Sequence, residues 1–203
     1  MTWFREFIDW VVEKGKENPD KTKVFLEWTL RLLWVLLFIS VFHTTLINAQ
    51  IPSASMENTI AVGDRIFCNR LAYFGSNHPE RYDIIVFEDV TGSGKYLIKR
   101  VIGLPGDTIT FRYGDVYLND AVEPLDDSFC KVQNVTDQGL LETNTITVPD
   151  GCYFVLGDNR LDSLDSRFWK GEYGESTPFV REEDILAKAV FRYFPFDSIG
   201  TVE

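Results

Sequence analysis

Two serines, Ser53 and Ser55, stand two residues apart in the segment IPSASMENTI at 51–60. In an extended chain both would point to one side. A serine hydroxyl becomes a nucleophile only when a neighbouring base takes its proton; without such a base the segment reads equally as a hydroxyl-rich linker. Histidine offers little here. His43 lies in an apolar run, and His78 sits in the polar loop GSNHPERYD. Lys99, in YLIKRVIGLPGD at 96–107, is placed differently, inside an apolar strand pattern whose alternation sets Leu97, Lys99 and Val101 on one face and Arg100 on the other. An ammonium turned inward loses hydration, so its pKa should fall from ~10.4 toward about 8–9, and the like charge of Arg100 should add to that fall. A neutral amine near pH 7 can serve as a general base, whereas a lysine on a solvated edge strand would do nothing of the kind. A third segment, GDNRLDSLDSR at 157–167, is dense in turn formers and opposite charges, and by itself reads as a loop tied by Asp–Arg pairs. Taken together, the three segments point to acyl transfer by a serine with lysine as its base, a known variant of the serine triad.

These residues need a scaffold. The chain has 203 residues, 45% apolar and 25% charged, which are the proportions of a globular protein rather than a disordered or collagenous one. The net charge of −11 argues against a nucleic-acid partner, which requires a basic face. Residues 1–50 hold six basic and six acidic groups, so the excess lies entirely in residues 51–203. In WFREFIDWVV at 3–12, Trp3, Phe4, Phe7, Ile8 and Val11 follow helical spacing. This fits either an amphipathic helix at a membrane interface or a frayed terminus. From Leu32 to Gln50 nineteen residues pass without a charged side chain, about 28 Å as a helix and close to a bilayer's hydrocarbon thickness. The expected span covers 24–48, as an uncleaved anchor: the preceding segment is long for a signal peptide, and Ile47 stands where cleavage after Ala49 would want a small residue. Arg5, Lys14, Lys16, Lys21 and Lys23 precede it and only Arg65 follows closely. Residues 1–23 are therefore expected in the cytoplasm and 49–203 on the outer face of the plasma membrane, in a single-pass arrangement.

After residue 50 the pattern is β throughout. Candidate strands are DRIFCNRL, YDIIVFED, YLIKRVIG, DTITFRYG, DVYLND, NTITVP, CYFVLGD and ILAKAVFRYF, separated by TGSG, LPGD, YGD and PDG turns. The expected fold is mainly β, an antiparallel domain preceded by one transmembrane helix. Cys68, Cys130 and Cys152 form no CxxC pair, which with two histidines gives no zinc pattern. Cys130–Cys152 is the one disulfide worth weighing against three buried thiols. Asn134-Val-Thr136 matches a glycosylation sequon, a match that arises readily by chance.

The ordered set of PSASM, GDRIFCNRLAY, KRVIGLPGD and GDNRLDSLDSR resembles the bacterial type I signal peptidases, of the short single-span kind found in Gram-positive bacteria, over roughly residues 25–195. That resemblance implies a serine endopeptidase built of coiled antiparallel sheets, needing no metal or cofactor. It would remove signal peptides from exported preproteins after small residues at −1 and −3, in the lipid bilayer and near the secretion translocon; a monomer is the default expectation. By the same resemblance Ser55 matches the nucleophile, Lys99 the base and Ser163 the hydroxyl that orients the base. Ser53 with the Ser55 N–H matches the oxyanion hole. Asp158, Arg100 and Arg167 match a nearby ionic cluster beside Asp165, more scaffold than catalyst. Ile51, Pro52, Met56, Ile60, Leu97 and Ile98 match the lining of the substrate pockets. Asn58 stands where the family commonly has proline, and Leu161-Asp162 where Asp-Asn is frequent; neither position carries chemistry there. A self-cleaving repressor would need a DNA-binding domain where this chain has an apolar span. A eukaryotic-type signal peptidase would use histidine as base. A binding module that had lost activity would lack the nucleophile or the base.

Overall fold

The computed structural model describes residues 2–17, 19–90, 92–130, 145–170 and 178–202. The sequon at 134–136 lies outside them. The chain divides into two units, Met1–Thr44 and Thr45–Glu203.

The first unit is helical. Helix α1 spans Thr2–Glu17 and α2 spans Pro19–Thr45. Proline opens α2 at a position where its missing N–H costs no hydrogen bond, and Asp20 in the first turn faces the positive end of the helix dipole. Thr29 and Thr44 return their hydroxyls to the carbonyls of Phe25 and Ser40, which satisfies them within an apolar helix. None of α2 is buried, and it is long and apolar enough to cross a membrane. Its bounds differ from the expected 24–48. The helix begins five residues earlier and ends at Thr45, because Leu46–Gln50 is strand β1. The uncharged run thus continues out of the helix into the sheet, where Ile47 and Ala49 pack against the core. The helical stretch from Val24 to Thr45, about 33 Å long, must therefore include Glu27 and Arg31.

The second unit is mainly β. Its strands are β1, β2 (Arg65–Asn69), β3 (Ile84–Glu88), β4 (Tyr96–Gly103), β5 (Thr108–Arg112), β6 (Asp115–Leu118), β7 (Ile146–Thr147), β8 (Cys152–Leu156), β9 (Val180–Arg181), β10 (Ile185–Phe194) and β11 (Gly200–Thr201). The large sheet runs β1-β2-β10-β3-β4-β8-β9 with β11 on β10, and a small sheet runs β6-β5-β7; every pairing is antiparallel. Each expected strand has its counterpart, usually trimmed at the ends. Tyr113 and Gly114, both at positive φ, close the two-residue turn between β5 and β6 with the twist such hairpins favour.

Three apolar clusters hold the sheets. One joins Ile51, Met56 and Ile60 to β2, β3, β10 and Ile98. A second fills the space between the small sheet and Ile102, Phe154 and Leu156. In the third, Ile85, Phe87, Val101, Tyr153 and Val155 meet Trp169, whose ring lies edge-on to Phe87 at 5.8 Å. Alternation holds along β4: Leu97 and Val101 join the third cluster while Ile98 joins the first. Cys68, Cys130 and Cys152 are free thiols, the first two buried and the last half-buried. Phe194 and Phe196 are exposed and meet edge to face at 5.7 Å.

Candidate active site

The nucleophile candidate sits on a single 3-10 turn, Ala54–Met56, directly after β1. Backbone bonds close the segment at its base: Ile51 N–H donates to Asp64 O at 3.0 Å and Gly63 N–H to Ile51 O at 2.9 Å. Met56 and Ile60, fully buried, plug the turn into the first cluster. Such a loop, fastened at its ends and by two apolar side chains, holds Ser55 in a fixed place although it belongs to no long element.

Lys99 reaches this turn from the middle of β4. Its Nζ lies 2.8 Å from Ser55 Oγ and 2.9 Å from Ile98 O, and only 3% of the lysine is exposed. Burial pushes its pKa down to about 8, against the opposing pull of the Asp165, Asp158 and Asp89 carboxylates. Direction and size match the sequence expectation, but one cause does not. Carboxylates, rather than the like charge of Arg100, are the neighbouring charges that act on the lysine, and they act to raise its pKa.

Two buried ion pairs lie near Lys99. Arg100 donates Nε and Nη2 to the two oxygens of Asp158, at 2.9 and 2.7 Å, and Nη1 to Tyr82 O. Its guanidinium lies over the ring of Phe129 at 4.2 Å. Arg167 forms the same two-toothed pair with Asp165, both bonds at 2.8 Å. Asp158 also accepts from Thr59 Oγ1 at 2.6 Å, which ties the ion pair to the segment carrying Ser55.

Ser163 lies beside the turn, but its hydroxyl donates to Asp165 Oδ2 at 2.7 Å. Among the described residues no hydrogen bond joins it to Lys99, so the expected orienting contact is absent. A hydroxyl has one proton, and the buried carboxylate is the stronger acceptor. Ser53 is exposed and extended; it precedes the 3-10 turn without capping it through its side chain, which leaves its hydroxyl available to a ligand. His78 pairs with Glu182 at 2.7 Å on the surface. Among the described residues no group of histidine, cysteine and carboxylate side chains is placed to hold a metal ion.

A groove of about 450 Å³ runs up to the turn, lined by Ile47, Ala49, Ile51, Pro52, Leu97 and Ile98 among others. Met56 and Ile60, expected among the pocket residues, do not line it, because the turn directs both into the core. Among the described residues, the N-terminal half of β4 borders the groove with an unpaired edge: Tyr96–Lys99 pair with β3, whereas β8 pairs with β4 only from Arg100 onward.

Several contributors escaped the sequence reading. Asn159 clamps the turn twice, through its N–H to Ser55 O at 3.0 Å and its Nδ2 to Ala54 O at 3.1 Å. At Gly157 a Cβ would lie 2.5 Å from Ser55 O and closer still to Ser163 Oγ, so only glycine allows this approach. Both stand in the GDN tripeptide, where turn formers mask their role. Asn58 adopts φ 99°, which a proline ring forbids, and its amide donates to Phe129 O at 2.6 Å. The family's usual proline would break both features here.

Residues 25–194 match the family model described as signal peptidase, peptidase S26. A signal peptidase I from Bacillus caldolyticus is 37% identical over 193 residues, covering 91% of this chain and 93% of that protein. A probable signal peptidase I-2 from Synechocystis sp. is 33% identical over 193 residues, 92% of this chain and 81% of that protein. The crystal structure of a signal peptidase I from Enterococcus faecalis aligns with 56% of this chain and 98% of its own at 31% identity, with a TM-score of 0.42. By the extent of its match to that family model and to these relatives, the chain belongs to the signal peptidase family, peptidase S26.

Proposed function

We propose that this chain is a membrane-anchored serine endopeptidase that removes signal peptides from exported preproteins, with Ser55 as nucleophile and Lys99 as general base. The observation that carries the reading is the buried 2.8 Å contact between Lys99 Nζ and Ser55 Oγ, made by a lysine whose pKa burial pushes down to about 8. A neutral amine at that distance accepts the serine proton as Oγ attacks the scissile carbonyl. The Ser55 N–H and the Ser53 hydroxyl then donate to the oxyanion. As the tetrahedral species collapses, the Lys99 ammonium returns the proton to the leaving amine. Water next attacks the acyl-enzyme with Lys99 again as base, which frees Ser55.

The groove supports an extended substrate. A peptide adding to the edge at Tyr96–Lys99 would run toward Ser55 with alternate side chains turned into the apolar lining. The family resemblance suggests small side chains at −1 and −3, and the apolar lining of the groove is compatible with them. The apolar helix α2, with more basic residues before its uncharged run than after, supports a cytoplasmic amino terminus and a catalytic domain acting on the outer face, near the secretion translocon.

Cleavage of a purified preprotein by the full chain tests the proposal. Ser55→Ala should abolish it, and Lys99→Arg should do so too, since guanidinium does not deprotonate in this range. The wild-type rate should climb about tenfold per pH unit below about 8 and level off above, as the lysine loses its proton. A folded Lys99→Arg protein that keeps more than about a tenth of the wild-type rate would remove lysine as the base.

A further inference from the structure

We propose that α1 lies flat in the headgroup layer of the membrane that α2 spans, with its aromatic side chains inserted to the acyl boundary. The proposal rests on α2 being the span and goes beyond the proteolytic reading. At 100° per residue, Trp3, Phe7, Ile8, Trp10, Val11 and Val12 fall on one arc of roughly 200°, and Arg5, Glu6, Asp9, Glu13 and Lys16 fill the opposite arc. Among the charged residues only Lys14 takes a position on the apolar arc. The apolar arc faces outward: Trp10 is 57% and Phe7 49% exposed, with the two rings stacked at 6.2 Å. The catalytic domain's one tryptophan, Trp169, is by contrast 2% exposed. A water-soluble helix has no reason to show so wide an aromatic face.

Chain continuity names the occupant. Glu17 ends α1 and Pro19 opens α2. Pro19 lies about 8 Å along the helix axis from Val24, where the apolar run begins, a distance close to the thickness of one headgroup layer. The carboxyl end of α1 is thereby held in that layer. Tryptophan favours this depth, where its ring body leaves water and its N–H keeps a polar partner, and phenylalanine adds apolar area to the buried face of an interfacial helix. The charges decide the kind of binding. Arg5, Lys14 and Lys16 are outnumbered by Glu6, Asp9, Glu13 and Glu17, so attraction to anionic lipid cannot be the driving force. Insertion should be insensitive to salt and should need no anionic lipid.

The test uses the full chain in vesicles, with an environment-sensitive fluorophore on single cysteines in a Cys152→Ala background; the buried Cys68 and Cys130 remain, and the unsubstituted background serves as blank. Labels go to the apolar arc (Phe7→Cys, Val11→Cys), the polar arc (Asp9→Cys, Glu13→Cys) and the span (Phe38→Cys). Apolar-arc labels should emit blue-shifted light and be quenched by nitroxides on the upper acyl chain, equally in phosphatidylcholine alone and at high salt. Polar-arc labels should behave as in water. Equal aqueous emission from both arcs would overturn the proposal. So would blue-shifted apolar-arc emission without lipid quenching, which would mean a protein partner such as a second copy, and so would quenching that vanishes at high salt. If Phe38 also escaped quenching, the span itself would fall and the proposal with it. Phe38 quenched with Phe7 and Val11 unquenched would overturn the proposal alone.

Discussion

Replacing Lys99 with methionine should abolish activity and yet stabilise the protein at neutral pH. The buried lysine has a pKa of about 8 in the folded chain against an ordinary 10.5. A gap of roughly 2.5 units at ~1.4 kcal/mol each makes the folded state bind that proton about 3 kcal/mol less well than the unfolded state. Where the unfolded chain holds more protons, stability rises with pH. Below about 8 both states are protonated and the folded state carries the whole penalty. Between about 8 and 10.5 the penalty shrinks, and above that range it is gone. Methionine keeps most of the stem and carries no charge. It forfeits the bonds to Ser55 Oγ and Ile98 O, worth about 1 kcal/mol each. At pH 7 the net gain should therefore be about 1 kcal/mol, and by pH ~10.5 the variant should be about 2 kcal/mol less stable than wild type. Denaturant unfolding of both proteins in detergent micelles, followed by near-ultraviolet circular dichroism across this pH range, reads the difference. Parallel stability curves would refute the reasoning, since a lysine that costs nothing to protonate is not desolvated and has no advantage as a base.

Gly157→Ala should fold but cleave at least about a hundredfold more slowly, because the added methyl would displace the Ser55 carbonyl or Ser163; circular dichroism with single-turnover cleavage checks both. Asp158→Asn should lower stability by about 3 kcal/mol by leaving the Arg100 guanidinium buried without its counter-charge. It should also move the acid limb of the rate profile to lower pH, since that carboxylate raises the Lys99 pKa; an unmoved limb would show that Asp158 does not act on the lysine. Asn159→Ala removes one of two bonds to the nucleophile turn and should cost about tenfold in kcat with little change in KM, measured by steady-state cleavage of a peptide spanning a signal-peptide junction.

What could be read from the chain alone followed period and composition. Alternation marked β4 and the inward place of Lys99, and turn formers marked where strands end. The end of α2 was not legible, because LINAQ continues an uncharged apolar run with no proline or glycine to stop a helix. Pairing with β2 and the burial of Ile47 and Ala49 decide it, and both depend on residues distant in sequence. The same holds for Asn159 and Gly157, whose composition announces only a turn, and for Ser163, whose proton goes to the nearer carboxylate. The charges around Lys99 are the most instructive case. Counting signs along β4 set Arg100 beside the lysine as a repelling cation. In space Arg100 is committed to Asp158, and Arg167 is committed to Asp165. Both carboxylates pull the lysine toward its charged form. Each is gripped through both oxygens by a guanidinium and still acts on the lysine. Burial outweighs them and is the largest influence on the lysine. One of these ion pairs also fastens the segment that carries Ser55, through the Thr59 hydroxyl that donates to Asp158.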